Sequence, residues 1–293
     1  MVSRRELLAG ALAAGSAGLL PAIPLDRIRL GVTTDEIDED PMVASDFLAR
    51  FGLHAAEVRS LWGKYNTSQP SGKIAEARRI FDAHQVRVTV VDTAFFREQI
   101  PADAKALDGE WVLLDAAMDR ADALGTKVLR IFSFLRAGVD ESRVYDLLSQ
   151  AARRAGVRGF RLAVENLDGR TVATGGDAAR MLKAVPEPNL GLTWDPNNAG
   201  MAGEKAFPDG YRQLDPARIL HVHLRDYRHT PEGKVEWTAV GAGEFDNLGQ
   251  IRELLKDGYN GAFTLETHWR DPRGKAYSTE TSLKALLRVV EQV

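Results

Sequence analysis

Three acidic residues and one histidine stand where short apolar runs end in the second half of the sequence. The acidic residues are Glu165, Asp195 and Glu266, and the histidine is His223. If the runs are neighbouring strands, these side chains converge, and each unpaired ionised carboxylate there costs on the order of several kcal/mol. A divalent metal ion resolves this conflict. One such residue alone is typical of a helix cap or a surface ion pair, but recurrence on four runs favours a metal site.

A second histidine, His221, precedes His223 by two residues. Residues two apart in a strand point to the same side, so His221 is expected in the same interior, one layer deeper. We therefore interpret His223 as the metal ligand and His221 as a buried, hydrogen-bonded group that supports it. We expect the same supporting role for Asn166 and Asp226, which stand next to strand-end residues.

Eight short apolar or β-branched runs alternate along the chain with segments of helical spacing. Helix start signals precede several of these segments, at Asp40, Asp108 and Thr174. Residues 27–293, divided among eight units, give about 33 residues for each, close to one strand–helix–strand step. The runs are Ile28–Val32, Ala55–Arg59, Val86–Val91, Val128–Phe132, Arg161–Glu165, Leu190–Trp194, Ile219–Leu224 and Ala262–Glu266.

Near-equal repeats of this kind predict one α/β domain over residues 27–293, a (β/α)8 TIM barrel. In that fold the chemistry gathers at the carboxyl ends of the strands, where the acidic residues stand. An open doubly wound sheet is the alternative, and it is expected to carry a G-x-G-x-x-G loop after the first strand. The sequence that follows Val32 has no such loop.

The first 26 residues differ in character from the rest. Arg4 and Arg5 precede an uncharged run from Leu7 to Leu20, which is shorter than the about 20 residues that cross a bilayer. The pattern predicts a twin-arginine-like export signal over residues 1–26 and a periplasmic or otherwise exported barrel with no membrane anchor after its removal. A helix at the start of the domain is the alternative.

Composition limits the classes of partner. The chain has 38 Lys and Arg against 41 Asp and Glu, a net charge of −3, so no overall basic excess attracts nucleic acid. We expect no nucleic-acid partner. The sequence contains no cysteine, which excludes a disulfide framework, a thiolate metal site and a cysteine nucleophile.

The ordered motifs resemble those of the xylose-isomerase-like TIM-barrel superfamily, and within it the sugar phosphate isomerase/epimerase family. The resemblance extends over residues 27–293 and implies one divalent ion held by Glu165, Asp195, His223 and Glu266. The motifs that carry it are Glu165-Asn166, Trp194-Asp195-Pro196-Asn197-Asn198, His221-Val222-His223-Leu224-Arg225-Asp226, Val240-Gly241-Ala242-Gly243-Glu244-Phe245-Asp246 and Leu265-Glu266.

The implied ligand set also implies a chemistry. Oxygen ligands with one imidazole suit Mn²⁺ or Mg²⁺, with Co²⁺ and Zn²⁺ as alternatives. The ion would stabilise the enediolate that forms when a carbon-bound proton leaves, while Glu165 and Glu266 remove and return that proton. We expect an isomerase or epimerase of a sugar or keto-sugar. The alternatives are a lyase or hydrolase that cleaves a 3-keto-glycoside by β-elimination and a non-catalytic sugar-binding barrel.

Five side chains near the strand ends are expected to contact a carbohydrate substrate. Asn198 stands where ketose 3-epimerases of this family carry a histidine, and an amide binds a hydroxyl but does not exchange a proton at neutral pH. Trp62 and Phe96 either stack on a sugar ring or pack within their loops. Arg225 either binds an anionic group or pairs with an acid, and His268 follows the last strand. A homo-oligomer is compatible with this sequence.

Overall fold

The computed structural model of the protein describes residues 28–293. The predicted export signal over residues 1–26 lies outside the described residues. The predicted runs form eight parallel strands, and β1 pairs with both β2 and β8, which closes the barrel. The strands are β1 (Arg29–Thr33), β2 (Ala55–Val58), β3 (Arg87–Asp92), β4 (Val128–Ile131), β5 (Arg161–Glu165), β6 (Leu190–Trp194), β7 (Ile219–Leu224) and β8 (Ala262–Leu265).

Helices follow the strands and cover the outside of the barrel. They are α1 (Pro41–Arg50), α2 (Ser71–Ala83), α3 (Ala104–Leu124), α4 (Glu141–Val157), α5 (Gly175–Ala184), α6 (Pro196–Met201), α7 (Asn247–Lys256) and α8 (Lys275–Val290). This arrangement confirms the predicted (β/α)8 TIM barrel. Within residues 28–293, no helix is both long and apolar enough to cross a membrane.

Capping residues set where the helices begin. The carboxylate of Asp40 accepts a hydrogen bond from the N–H of Met42, with Pro41 as the first residue of α1. Thr174 forms the predicted cap of α5. Helix α3 begins five residues before the position that Asp108 predicted, because the carboxylate of Asp103 caps it through the N–H of Ala106.

The alternation of side chains along the strands separates two environments. In β5, Leu162 and Val164 pack in the apolar layer between barrel and helices, whereas Glu165 points into the barrel and contacts His223. In β7, Val222 packs outward, and His221 and His223 both contact Glu57 inside the barrel. The interior is therefore polar, and it positions the candidate site.

The loops at the carboxyl ends carry additional structure. The loop after β2 forms a small hairpin of Ser60–Leu61 with Lys64–Tyr65, and the loop after β7 forms a larger one of Asp226–His229 with Val235–Thr238. The β6–β7 connection contains only the short α6 and several tight turns.

Candidate metal centre

Glu165, Asp195, His223 and Glu266 meet at the carboxyl end of the barrel. One ligand atom from each lies within 4.8 Å of the others, and all four side chains are buried. Nδ1 of His223 lies 3.2 Å from Oε1 of Glu165, 3.5 Å from Oδ2 of Asp195 and 3.2 Å from Oε2 of Glu266. The structure thus brings the four predicted ligands into one cluster.

The geometry of this cluster fits a single divalent ion. Ligand atoms about 2.0–2.2 Å from one ion lie about 3.0–3.5 Å from each other, which matches the three distances from Nδ1 of His223. That nitrogen is buried and forms no hydrogen bond of normal geometry. Buried polar atoms normally have a partner, and a cation at this position would supply one.

Asp195 combines the two roles that the sequence left as alternatives. Its Oδ1 accepts hydrogen bonds from the N–H groups of Asn197 and Asn198, at 2.9 Å each, and so caps helix α6. Its Oδ2 faces His223 and the guanidinium group of Arg225. The helix cap therefore fixes the orientation in which the second oxygen faces the site.

Glu57 connects the two histidines inside the barrel. Its Oε2 lies 2.8 Å from Nε2 of His221, and its Oε1 lies 2.9 Å from Nε2 of His223. All three side chains have no exposed surface. Burial alone would raise the pKa of Glu57, but His223 and His221 hold that pKa well below its usual value. The carboxylate therefore fixes the ring of His223 with Nδ1 toward the acids.

The same contacts act on His223 itself. Burial alone would lower the pKa of His223, but Glu57, Glu266 and Glu165 hold that pKa well above its usual value. Without an ion, His223 is therefore protonated at neutral pH, and its charge offsets that of the carboxylates.

Each carboxylate of the cluster also contacts an arginine from a different strand end. Nη1 of Arg59 lies 2.6 Å from Oε1 of Glu266, and Nε of Arg130 lies 3.3 Å from Oε2 of Glu165. Nε of Arg225 donates to Oδ2 of Asp195 at 2.8 Å. A guanidinium group stays protonated in proteins, so these contacts orient the acids and offset part of their charge.

The two glutamates have unequal surroundings. Oε2 of Glu266 lies 2.5 Å from Nη2 of Arg225, in addition to its contacts with Arg59 and His223. Burial alone would raise the pKa of Glu266, but Arg225, His268 and His223 hold that pKa well below its usual value. The ion pairs of Glu165 with Arg130 and Arg225 are longer, at 3.3 and 3.5 Å. Glu165 is thus less tightly paired and is better placed to accept a proton.

Comparison with known proteins agrees with this fold. The family model described as "Xylose isomerase-like TIM barrel" matches residues 45–289. The chain belongs to this family. The 3-dehydroshikimate dehydratase of Pseudomonas aeruginosa is 30% identical over 157 residues, which are 50% of this chain and 24% of that protein. The mannonate dehydratase of Saccharophagus degradans is 33% identical over 86 residues, 29% of this chain and 21% of that protein. The chain spans about a quarter of the length of these relatives or less.

Solved structures of the family share the whole barrel. The IOLI protein, solved with a bound zinc atom, superposes with a TM-score of 0.74 at 18% identity, over 90% of this chain and 99% of that one. An identity of 18% shows similarity of the fold alone.

Two predicted residues of this xylose isomerase-like barrel hold strand ends together. Asn166 donates from Nδ2 to the carbonyl of Asp195 at 2.8 Å and accepts from the N–H of Asp195 at 2.8 Å. Asn198 donates to Oε1 of Glu165 at 3.2 Å and to the carbonyl of Asn166 at 2.9 Å. Asn198 was predicted to bind substrate, but its side chain is 1% exposed and these contacts place it against Glu165.

Asp226 lies further from the cluster than predicted. Its carboxylate accepts hydrogen bonds from the N–H groups of Gly241, Gly243 and Phe245. It therefore anchors the loop that precedes α7, and within the described part of the chain it forms no hydrogen bond or ion pair with the four candidate ligands. Gly243 has no room for a side chain, because a Cβ there would lie 2.1 Å from Oδ1 of Asp226.

The predicted substrate contacts separate into buried and accessible side chains. Phe96 has no exposed surface and its ring packs 3.8 Å from that of Phe95 and 4.1 Å from that of Phe134, measured between centroids. This corresponds to the loop-packing alternative. The ring of Trp62 is partly buried and lies 4.4 Å from the ammonium group of Lys73. Trp62 therefore keeps part of its surface at the loop after β2.

Arg225 and His268 are adjacent. Arg225 is 3% exposed and contacts all three carboxylates of the cluster, which corresponds to the ion-pair alternative. Nη1 of Arg225 also contacts Nδ1 of His268. His268 remains 33% exposed, with Nε2 at 3.5 Å from Oε1 of Glu266. Of the five predicted substrate contacts, His268 combines proximity to the cluster with an accessible side chain.

Proposed function

We propose that this protein is a metal-dependent enzyme that removes a proton from the carbon next to a carbonyl group of a sugar or keto-sugar. The observation that carries the proposal is the buried cluster of Glu165, Asp195, His223 and Glu266, whose spacing fits one ion. A bound divalent ion, Mn²⁺ or Mg²⁺ with Zn²⁺ or Co²⁺ as alternatives, would polarise the carbonyl and stabilise the charge that develops on its oxygen.

The residues of this chain provide the base and the groups that orient it. Glu165 is the preferred base, because its ion pairs are the longer ones, and Asn198 orients it through Oε1. Glu266 faces the same cluster and would return the proton to the opposite face or the neighbouring carbon. Return of the proton makes the reaction an epimerisation or an isomerisation.

Elimination is the second candidate, and two observations favour it. The low pKa of Glu266 makes that carboxylate a weak acid catalyst for returning a proton. The two similar curated proteins named above are dehydratases. In this reaction Glu165 takes the carbon-bound proton, a carbon–carbon double bond forms, and the bond to the β-oxygen breaks. His268 is placed to give a proton to the leaving oxygen, which belongs to water or, in a keto-glycoside, to the aglycone.

The test combines metal analysis with a substrate screen in deuterated water. Protein purified without chelators is analysed for bound metal, then incubated with keto-sugars and keto-glycosides, and the products are examined by mass spectrometry and NMR. Epimerisation or isomerisation introduces deuterium into a product of otherwise unchanged composition, whereas elimination releases water or an aglycone. Absence of both, with metal bound and substrate bound, would leave a sugar-binding barrel and overturn the proposal.

Export remains a proposal from the sequence. We propose that Arg4 and Arg5 direct the folded protein through the twin-arginine route. Replacing both arginines with lysine is expected to leave the protein in the cytoplasm, as measured by cell fractionation, and unchanged secretion would contradict the proposal.

A further inference from the structure

The amino end of the barrel, opposite the candidate metal centre, opens into a cavity of about 330 Å³. Strands β1, β3 and β5 begin with Arg29, Arg87 and Arg161, and all three arginines line this cavity together with Lys127. None of the described residues that line it is an aspartate or a glutamate. The cavity is therefore lined by four basic side chains, of which Lys127 is paired with Asp122, whereas the three arginines have no acidic partner among the described residues.

The three arginines that begin the strands are exposed and unpaired. Within residues 28–293, the guanidinium groups of Arg29, Arg87 and Arg161 form no ion pair and no hydrogen bond, and each residue is exposed. Side chains from alternate strands of such a barrel share one layer. The positive charges of these arginines repel each other across the cavity. An anion in the cavity would offset this repulsion and would be bound by several of the arginines.

Strand β7, the fourth of the odd-numbered strands, contributes His221 to the cavity. His221 is fully buried, and its Nδ1 has no hydrogen-bond partner. Its Nε2 lies 2.8 Å from the carboxylate of Glu57. Nδ1 is therefore the ring nitrogen that remains available to a ligand in the cavity.

We propose that this cavity binds inorganic phosphate. Its charged oxygens accept hydrogen bonds from the guanidinium groups, whose planar donors suit phosphate. A hydrogen bond between the phosphate and Nδ1 of His221 gives that buried nitrogen a partner. The site is separate from the candidate metal centre, and the proposal does not depend on the reaction that occurs there.

The first experiment is calorimetric titration of the full-length protein with inorganic phosphate at pH 8 and fixed ionic strength. Saturable binding is expected, and Arg29→Gln, Arg87→Gln and Arg161→Gln each weaken it about tenfold, the effect of one charge-assisted hydrogen bond. Arg79→Gln is the matched control, because Arg79 is exposed on α2 and does not line the cavity, and it should not change binding. Absent binding, or equal effects in all four variants, overturns the proposal.

The second experiment tests the role of His221 and the identity of the anion. His221→Gln retains a donor toward Glu57 but lacks Nδ1, and it should weaken phosphate binding about tenfold. Glycerol phosphate carries a carbon substituent on one phosphate oxygen and is expected to bind more weakly than inorganic phosphate. Tighter binding of glycerol phosphate would identify a phosphomonoester as the ligand and overturn the assignment of free phosphate.

A further variant separates this cavity from the metal centre, because phosphate also binds metal ions. Asp195→Asn removes a candidate metal ligand at the other end of the barrel. Phosphate binding should persist in this variant, provided that circular dichroism shows it to be folded, whether or not metal and turnover are lost. Loss of phosphate binding in folded Asp195→Asn would place the phosphate at the metal centre and refute the proposal.

Discussion

The two ends of the barrel use arginine in opposite ways. At the carboxyl end, Arg130 is 2% exposed and its Nη2 donates to Asp92 at 2.6 Å, while its Nε faces Glu165. At the amino end, Arg161 begins the next strand, is exposed and has no acidic partner among residues 28–293. The residue type is the same, but the surroundings differ in burial and in the number of carboxylates.

This difference shows what each end can bind. A buried arginine without its acid would leave an uncompensated charge, so the carboxyl end consists of mutually paired groups. Such pairing directs the carboxylates of the metal centre at one point, which suits a cation. At the amino end water already solvates the guanidinium groups, so no acid is required, and their donors remain available for an anion.

Loss of the proposed base at the carboxyl end should have the largest effect. Glu165→Gln keeps the size of the side chain but cannot accept a proton, and we expect turnover to fall by about 10²–10⁴-fold, with part of the bound metal retained. The measurement is kcat in the deuterium-exchange assay together with metal content. Glu76→Gln, on the partly exposed surface of α2, is the control. Full activity of Glu165→Gln would contradict the assignment, and Glu266→Gln tests its partner in the same way.

A matched pair of variants tests whether the arginines at the two ends differ in their contribution to stability. Arg130→Met leaves Asp92 and Glu165 without their buried cation and should lower the free energy of unfolding by about 3–5 kcal/mol. Arg161→Met removes an exposed charge and should change the free energy of unfolding by at most about 0.5 kcal/mol. Urea denaturation of both variants measures the difference. Similar losses in the two variants would show that burial and pairing do not distinguish the ends.

The sequence predicted the barrel well because strand periodicity repeats eight times. Each observed strand falls within or beside a predicted run, and the strand-end rule located Glu165 and Glu266 correctly within the fold. The start of α3 was predicted too late, because Asp103 and Asp108 are both plausible caps and only the tertiary structure selects between them.

The supporting charges were harder to predict. Glu57 and Arg130 lie inside runs that read as apolar, so a rule based on the last residue of a run passes over them. A charged residue inside an otherwise apolar strand is the signal that would have found them, because it must be paired when it is buried. Phe96 is the opposite case, a residue that the strand-end rule selected although it packs within its loop. Its position after a strand suggested a substrate contact, whereas its packing against Phe95 depends on the conformation of the loop.

Glu57→Gln tests whether Glu57 orients His223 in the metal centre. The amide can accept from one histidine but presents a donor to the other, so the ring of His223 loses its fixed orientation. We expect metal affinity to fall by about 10–100-fold, measured by competition with a chromogenic chelator. Glu76→Gln again serves as the control. An affinity within twofold of the wild type would show that Glu57 does not position His223.

The smallest expected effect concerns an acid of the carboxyl end outside the metal centre, Asp177. Burial alone would raise its pKa, but hydrogen bonding from the N–H of Ala173 and the charges of Arg136 and Arg180 lower the pKa below its usual value. The ionised form therefore stabilises the fold above the unfolded pKa of about 3.9, and this contribution is lost as the pH falls through the lower folded pKa. Asp177→Asn should cost about 1 kcal/mol at pH 7.

The pH dependence distinguishes this explanation from a simple loss of packing. Urea denaturation of wild type and Asp177→Asn between pH 7 and pH 2.5 should show a difference in unfolding free energy that shrinks below pH 4, since protonated aspartic acid and asparagine carry the same charge. Asp82→Asn, an exposed site on α2, should stay within about 0.5 kcal/mol of wild type throughout. A difference for Asp177→Asn that is constant with pH would show that its charge does not stabilise this end of the barrel.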